Sequence, residues 1–166
     1  MAIHTPTVRL LKASVLVALS GIFRLYIAFL FIRAKPNLLA YIAGGLVIYT
    51  VYTLDRALEC KEDAVNRCEL TGSKKEVGIL VSVSTFCIGA SILFIENLFV
   101  VPFLPLIIGC LYSKGVKIMG FNMKLKGGFG VKNLVVALTW GVFIAGITTS
   151  TDAGIASLFL FFFSLA

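Results

Sequence analysis

Histidine is almost absent from this chain. The one example, His4, lies in the N-terminal tail. That rules out an imidazole pair for acid–base work and a histidine-built metal centre. Cysteine is scarce and badly spaced. Cys60 and Cys68 are eight apart, while Cys87 and Cys110 sit in apolar runs. Neither spacing suits zinc, and the four read as reduced thiols rather than a disulfide framework. No Gly-x-x-x-x-Gly-Lys-Ser/Thr run occurs, so there is no Walker phosphate loop. Charge is sparse as well: charged residues make up 14%, and only eight are acidic.

What fills the chain is hydrocarbon. Of its 166 residues 59% are hydrophobic, and the mean hydropathy is +1.01. Soluble domains lie nearer about 45–50% apolar. Uncharged runs recur at Asn37–Leu54, Val77–Ile95, Asn97–Ser113 and Asn133–Thr151, each of 17 to 19 residues. Such runs cross a hydrocarbon core of about 30 Å at about 1.5 Å per residue. Ala13–Ile32 is a fifth, interrupted only by Arg24, and Ala153–Ala166 is a shorter sixth. The first run is too long for a signal-peptide core and has no clear small-residue cleavage site, so it reads as a retained helix. The expected fold is all-α: one polytopic membrane bundle over residues 1–166, with about five full transmembrane helices and part of a sixth. Arg24 falls about halfway along its run. It needs either a partner or watery cavity, or a carbonyl or interface to reach; the sequence leaves its role open.

The basic residues carry topology. Arg9 and Lys12 precede the first run. Arg56, Lys61, Arg67, Lys74 and Lys75 lie between the second and third runs, and Lys114, Lys117, Lys124, Lys126 and Lys132 between the fourth and fifth. With five crossings these twelve share one side, against Arg33 and Lys35 on the other. The asymmetry predicts an integral plasma-membrane protein with a cytoplasmic N-terminus and cytoplasmic basic loops. Nucleic acid is not an expected partner, because the cations are tied to loops between spans; the lipid bilayer is.

Punctuation between the runs is specific. Pro36 should stop one helix and Asn37 cap the next. Gly44-Gly45 permits close helix packing or a local irregularity. Glu96-Asn97 predicts a very short hairpin, and Pro102 and Pro105 a kinked or irregular fourth span. Trp140 is a packing residue or a ligand wall. Asp152 can cap a last helix.

Two stretches carry chemistry. Residues 51–67, VYTLDRALECKEDAVNR, leave an apolar helix and turn abruptly charged. Helical spacing puts Asp55, Glu59 and Glu62 or Asp63 on one face. Like charges stacked so repel by about a few tenths of a kcal/mol per pair. A bridging cation would convert that repulsion into binding. Oxygen ligands without thiolate or imidazole suit Mg²⁺, which takes phosphate oxygens as further ligands. The competing reading is a solvated helix end whose acids pair with Arg56, Lys61 and Arg67. The second stretch, SKGVKIMGFNMKLKGGFGVK over 113–132, is basic, rich in glycine and free of acids. Its lysines can meet phosphate as point charges, or can merely set topology and touch anionic lipid.

Taken together, these stretches bring the chain to a known family. It resembles the UbiA superfamily of intramembrane prenyltransferases, whose first signature is Asn-Asp-x-x-Asp-x-x-x-Asp at the cytoplasmic end of helix two. Asp55 and Glu59 match its second and third acids, Arg56 follows Asp55 as it often does, and Val51-Tyr52 replace the opening pair. Asn66-Arg67 looks like the Asn-Arg that follows. Tyr112-Ser113, Leu125-Lys126 and the run Lys132-Asn133 to Gly141 resemble the stretch leading into helix five. The resemblance covers the first span to the start of the sixth. It implies Mg²⁺ held by Asp55, Glu59 and Asp63. It also implies diphosphate held by Lys126, then Lys132 or Lys117, with Arg67, and supporting roles for Tyr52, Tyr112 and Asn133. The implied partners are a prenyl diphosphate and a lipophilic acceptor. The family has nine helices and a second acidic motif after helix six, and the 166 residues carry no such motif. They are expected to look like its N-terminal portion, inactive alone without a C-terminal half. Two other classes compete with this reading. A CDP-alcohol phosphotransferase needs an Asp-Gly core, and no Asp-Gly pair occurs here. A small non-enzymatic scaffold or transport subunit needs no metal site and would fit the length.

Overall fold

A computed structural model of the chain describes residues 6–33, 35, 37–58, 75–114, 116–118, 121–123 and 131–148; for 110–133 it describes backbone only. Among the described residues there are five helices: α1 (Pro6–Phe31), α2 (Leu38–Ala57), α3 (Lys75–Ile95), α4 (Phe103–Lys114) and α5 (Val131–Thr148). Between α4 and α5, β1 (Val116–Ile118) pairs antiparallel with β2 (Phe121–Met123), with Lys117 opposite Asn122. The architecture is an α-helical membrane bundle. Three helices, α1, α2 and α3, are long and apolar enough to cross a bilayer.

Helix α2 is the axis. It starts where expected: Asn37 is extended, and its side chain accepts from Ala40 N at 3.2 Å, satisfying a free first-turn donor. Neighbours press it from every side. On α1, Ile48 fills the space over Gly21, Leu25 covers Gly44 and Ile22 covers Gly45. On α3, a Cβ at Gly89 would stand 3.2 Å from Ala43 O, and one at Gly78 would stand 3.0 Å from Ala57 Cβ. Gly109 of α4 meets Val51, and Trp140 of α5 stacks on Tyr52. The glycines matter here because they carry no side chain. In lipid, helices associate through close packing and interhelical hydrogen bonds rather than a hydrophobic drive. One such bond cluster joins α2 to α3: Thr50 Oγ1 stands 2.9 Å from Thr85 Oγ1 and 2.9 Å from Leu46 O. The opposite surfaces are greasy. Leu16, Phe23, Leu80 and Ile95 are all exposed, as lipid-facing residues should be.

The run Asn97–Ser113, expected as a kinked or irregular fourth span, is helical only from Phe103. Helix α3 ends in a left-handed turn at Asn97 (φ 62°). There Leu98 N donates to Leu93 O at 2.8 Å and Asn97 N to Phe94 O at 3.0 Å. That pair of bonds is a helix stop, and asparagine tolerates the conformation. Helix resumes only at Phe103, with Pro105 in its first turn, where no amide donor is needed. The 12 residues of α4 cover only about 18 Å. Helix α5 has 18 residues, its described apolar part being Leu134–Thr148. The sixth run, Ala153–Ala166, and Asp152 lie outside the described residues. The basic, glycine-rich connection holds the β1–β2 hairpin.

Direction follows from the contacts. Helices α1 and α2 run antiparallel, with Ser14 beside Arg56 at one end and Leu25 beside Gly44 further along. Helix α5 runs opposite to α2, since Trp140 meets Tyr52 while Ile147 reaches Gly44. The turns at Asn37 and Glu96 meet at the far end, where Asn37 Nδ2 donates to Glu96 Oε2 at 3.0 Å. The end of α2, the start of α3, the end of α4, the hairpin and the start of α5 therefore share the near end.

Candidate functional site

The near end of the bundle carries Asp55. It lies in the last turn of α2, half-buried, one helical turn beyond Tyr52 and on the same side of the helix. Arg56 beside it donates to Ser14 Oγ on α1 at 2.8 Å. Ser14 is fully buried, and its hydroxyl in turn donates to Leu10 O at 3.2 Å. Arg56 thus clamps α2 to α1, and its charge also suits the negative end of the α2 dipole. Glu76, exposed in the first turn of α3, is a second described acid at this end, one that the spacing argument passed over.

Behind Asp55 lies a cavity. It holds about 330 Å³ of empty space, open mouth included, and it is lined by Val17, Ser20, Gly21 and Arg24 of α1, Ile48 and Tyr52 of α2, and Trp140 and Ile144 of α5. Tyr52 and Trp140 form one wall as stacked rings, 5.8 Å between centroids and 7° apart in plane. Phe143 packs edge-on against Trp140 at 5.7 Å and is itself buried. Trp140, expected as a packing residue or a ligand wall, packs against Tyr52 and Phe143 and lines the cavity. Ser20 is exposed, so the cavity opens along α1. Gly21 leaves no side chain where Ile48 comes close.

The sequence-derived site residues divide sharply. Asp55 and Tyr52 are described and lie one turn apart. Lys117 and Asn122 pair in the hairpin, while Lys132 and Asn133 open α5 and Tyr112 lies near the end of α4. The backbone thus brings these positions to the end of the bundle that carries Asp55. Glu59, Glu62, Asp63, Arg67 and Lys126 lie outside the described residues. Among the described residues no group of three or more histidine, cysteine, aspartate or glutamate side chains is placed to hold a metal ion. Asp55 is a hard oxygen donor of the kind Mg²⁺ takes, and its proposed co-ligands are not described.

No protein-family model, no curated protein and no solved structure matches this chain.

Proposed function

We propose that the chain is a UbiA-like intramembrane prenyl-transfer protein, oriented in the plasma membrane with its near end cytoplasmic. The observation that supports this reading is the stacking of two features: a half-buried carboxylate, Asp55, at the end of the central helix, and a helix-lined cavity one turn behind it. A diphosphate belongs at a charged membrane end, and the chain attached to it belongs in an apolar interior. Asp55, with Glu59 and Asp63, would hold Mg²⁺, which supplies charge neutralisation for a diphosphate leaving group. Lys126, Lys132, Lys117 and Arg67 would add point charges around the phosphate oxygens. Tyr52 stands at the junction between the charged end and the cavity. The family it resembles uses two acidic motifs jointly, and these residues carry one. This chain alone is therefore expected to bind prenyl diphosphate without sustained transfer to an acceptor.

The test uses the purified chain in nanodiscs. Geranylgeranyl diphosphate with Mg²⁺ should protect it from proteolysis and raise its melting temperature, and omitting Mg²⁺ should remove both effects. Asp55→Asn should abolish the Mg²⁺-dependent protection while leaving the unliganded melt in place. Equal protection of wild type and variant would sink the metal assignment and favour a non-enzymatic scaffold. Robust prenyl transfer by the chain alone would refute the expected dependence on a second half.

A further inference from the structure

Arg24 is a cation in the wrong solvent. Within the run Ala13–Ile32 it lies about 16 Å from one end and about 12 Å from the other at about 1.5 Å per residue, close to the middle of the hydrocarbon. A charge there is costly unless it faces a partner or a polar cavity. Arg24 is half-buried and lines the cavity between α1, α2 and α5. Helical side chains lean toward the N-terminus of their helix. The other α1 residues around the cavity, Val17, Ser20 and Gly21, all lie on that N-terminal side. Arg24 therefore shares the cavity wall with residues on the side toward which its Cβ tilts, away from the nearer end of α1 to which it would have to snorkel.

We propose that Arg24 anchors a binding site for the carboxylate of an amphiphile drawn from the bilayer, such as a long-chain fatty acid. Three observations select this ligand. A single guanidinium offers a planar fork that matches one carboxylate with two parallel hydrogen bonds. Ser20 at the exposed mouth supplies a further hydroxyl. The cavity is small, and apolar elsewhere at Val17, Ile48 and Ile144, so it takes a head group and the first methylenes while the tail leaves through the mouth. The site lies in the cavity that the transfer reading gives to the prenyl chain, so the two ligands would compete there. The quenching test below uses neither Mg²⁺ nor diphosphate and can fail or succeed without deciding prenyl transfer.

Trp140 is the only tryptophan in the chain and lines this cavity, so it reports contact directly. 2,3-Dibromostearic acid, whose bromines sit beside the carboxylate and quench indole on contact, is titrated into the purified chain in nanodiscs, with its methyl ester as the uncharged control. The acid should quench saturably, and the ester should quench no more than bulk partitioning gives. Arg24→Gln should weaken the acid's binding by about tenfold or more, the value of losing a charge-assisted hydrogen bond. Arg24→Lys should retain part of it. Val17→Phe keeps the cation but fills the cavity, and should lose the saturable phase; it decides the matter if Arg24→Gln loses its helical circular dichroism. Excess acetate, a carboxylate without a tail, should not displace the acid. Equal quenching by acid and ester, an unchanged Arg24→Gln, or displacement by acetate would each overturn the proposal.

Discussion

Two threonines three residues apart on α2 show how differently one residue type can be used. Thr50 is buried and bridges to Thr85 on α3, its hydroxyl also 3.3 Å from Ser82 O. Thr53 is equally buried, but its Oγ1 has no hydrogen-bond partner. Replacing each by valine conserves shape and removes only the hydroxyl. Thr50→Val should destabilise the bundle by about 0.5–2 kcal/mol, the range for an interhelical bond in a membrane. Thr53→Val should leave stability unchanged or raise it by up to about 1 kcal/mol, because it removes an unsatisfied polar group. Unfolding by detergent titration in mixed micelles measures both. Parallel losses in the two variants would mean that the Thr50–Thr85 bond contributes nothing of its own. The positive φ of Arg33 (54°) is a different residue-scale cost. Arg33→Gly should stabilise the α1 terminus by about 1 kcal/mol, since glycine adopts that conformation without a steric penalty.

Among the elements, α2 matters most, and its glycines set how close its neighbours come. Not all of these contacts are equally strict. A Cβ at Gly45 would meet Ile22 Cδ1 at 2.7 Å and Cγ1 at 2.8 Å, both on one half-buried side chain that can turn aside. A Cβ at Gly89 would meet the backbone oxygen of Ala43 and Leu46 Cβ at 3.1 Å, which cannot swing away. Gly45→Ala should therefore cost less than Gly89→Ala, the latter about 1–3 kcal/mol as overpacking at a helix interface. The same detergent titration ranks them, and a reversed order would show that α1, not α3, is the tighter neighbour. The hairpin had a visible signal: Val116-Lys-Ile and Phe121-Asn-Met alternate apolar and polar residues around Met119-Gly120. The signal spans three residues per strand, too short to stand out from an irregular loop. The shortness of α4 was signalled by Pro102 and Pro105, but the extent of the break depended on Asn97 closing α3 first.

For the whole molecule, the claim is one of sidedness. The near end gathers Asp55, Lys75, Lys114 and the hairpin; the far end joins Asn37 to Glu96. In a cysteine-free background, Lys75→Cys and Lys114→Cys should react with a membrane-impermeant maleimide only from the cytoplasmic face, and Lys35→Cys only from the opposite face. Labelling of positions 75 and 114 from opposite faces would break the shared end on which both the orientation and the diphosphate site depend. Among the described residues Arg9, Lys12, Arg56, Lys75, Lys114, Lys117 and Lys132 fall at the near end and Arg33 and Lys35 at the far end, the charge asymmetry on which the proposed orientation rests.

Hydropathy determined that this chain is a membrane bundle and where the apolar spans of α1, α2 and α3 lie, and the Pro36-Asn37 pair determined which residue caps α2. These are properties of one segment and its solvent: about twenty apolar residues must hydrogen-bond to themselves in lipid whatever else is near. The acids of residues 55–63 were equally plain as a helical pattern, yet pattern could not say whether they gather around an ion. The tertiary structure alone decided what Arg24 faces, that Tyr52 and Trp140 stack across 88 positions of chain, and that a cavity lies one turn behind Asp55. A cavity is made by three helices failing to fill the space between them. That mismatch exists only once Gly21, Ile48 and Ile144 have been brought side by side, so no local run of residues can encode it.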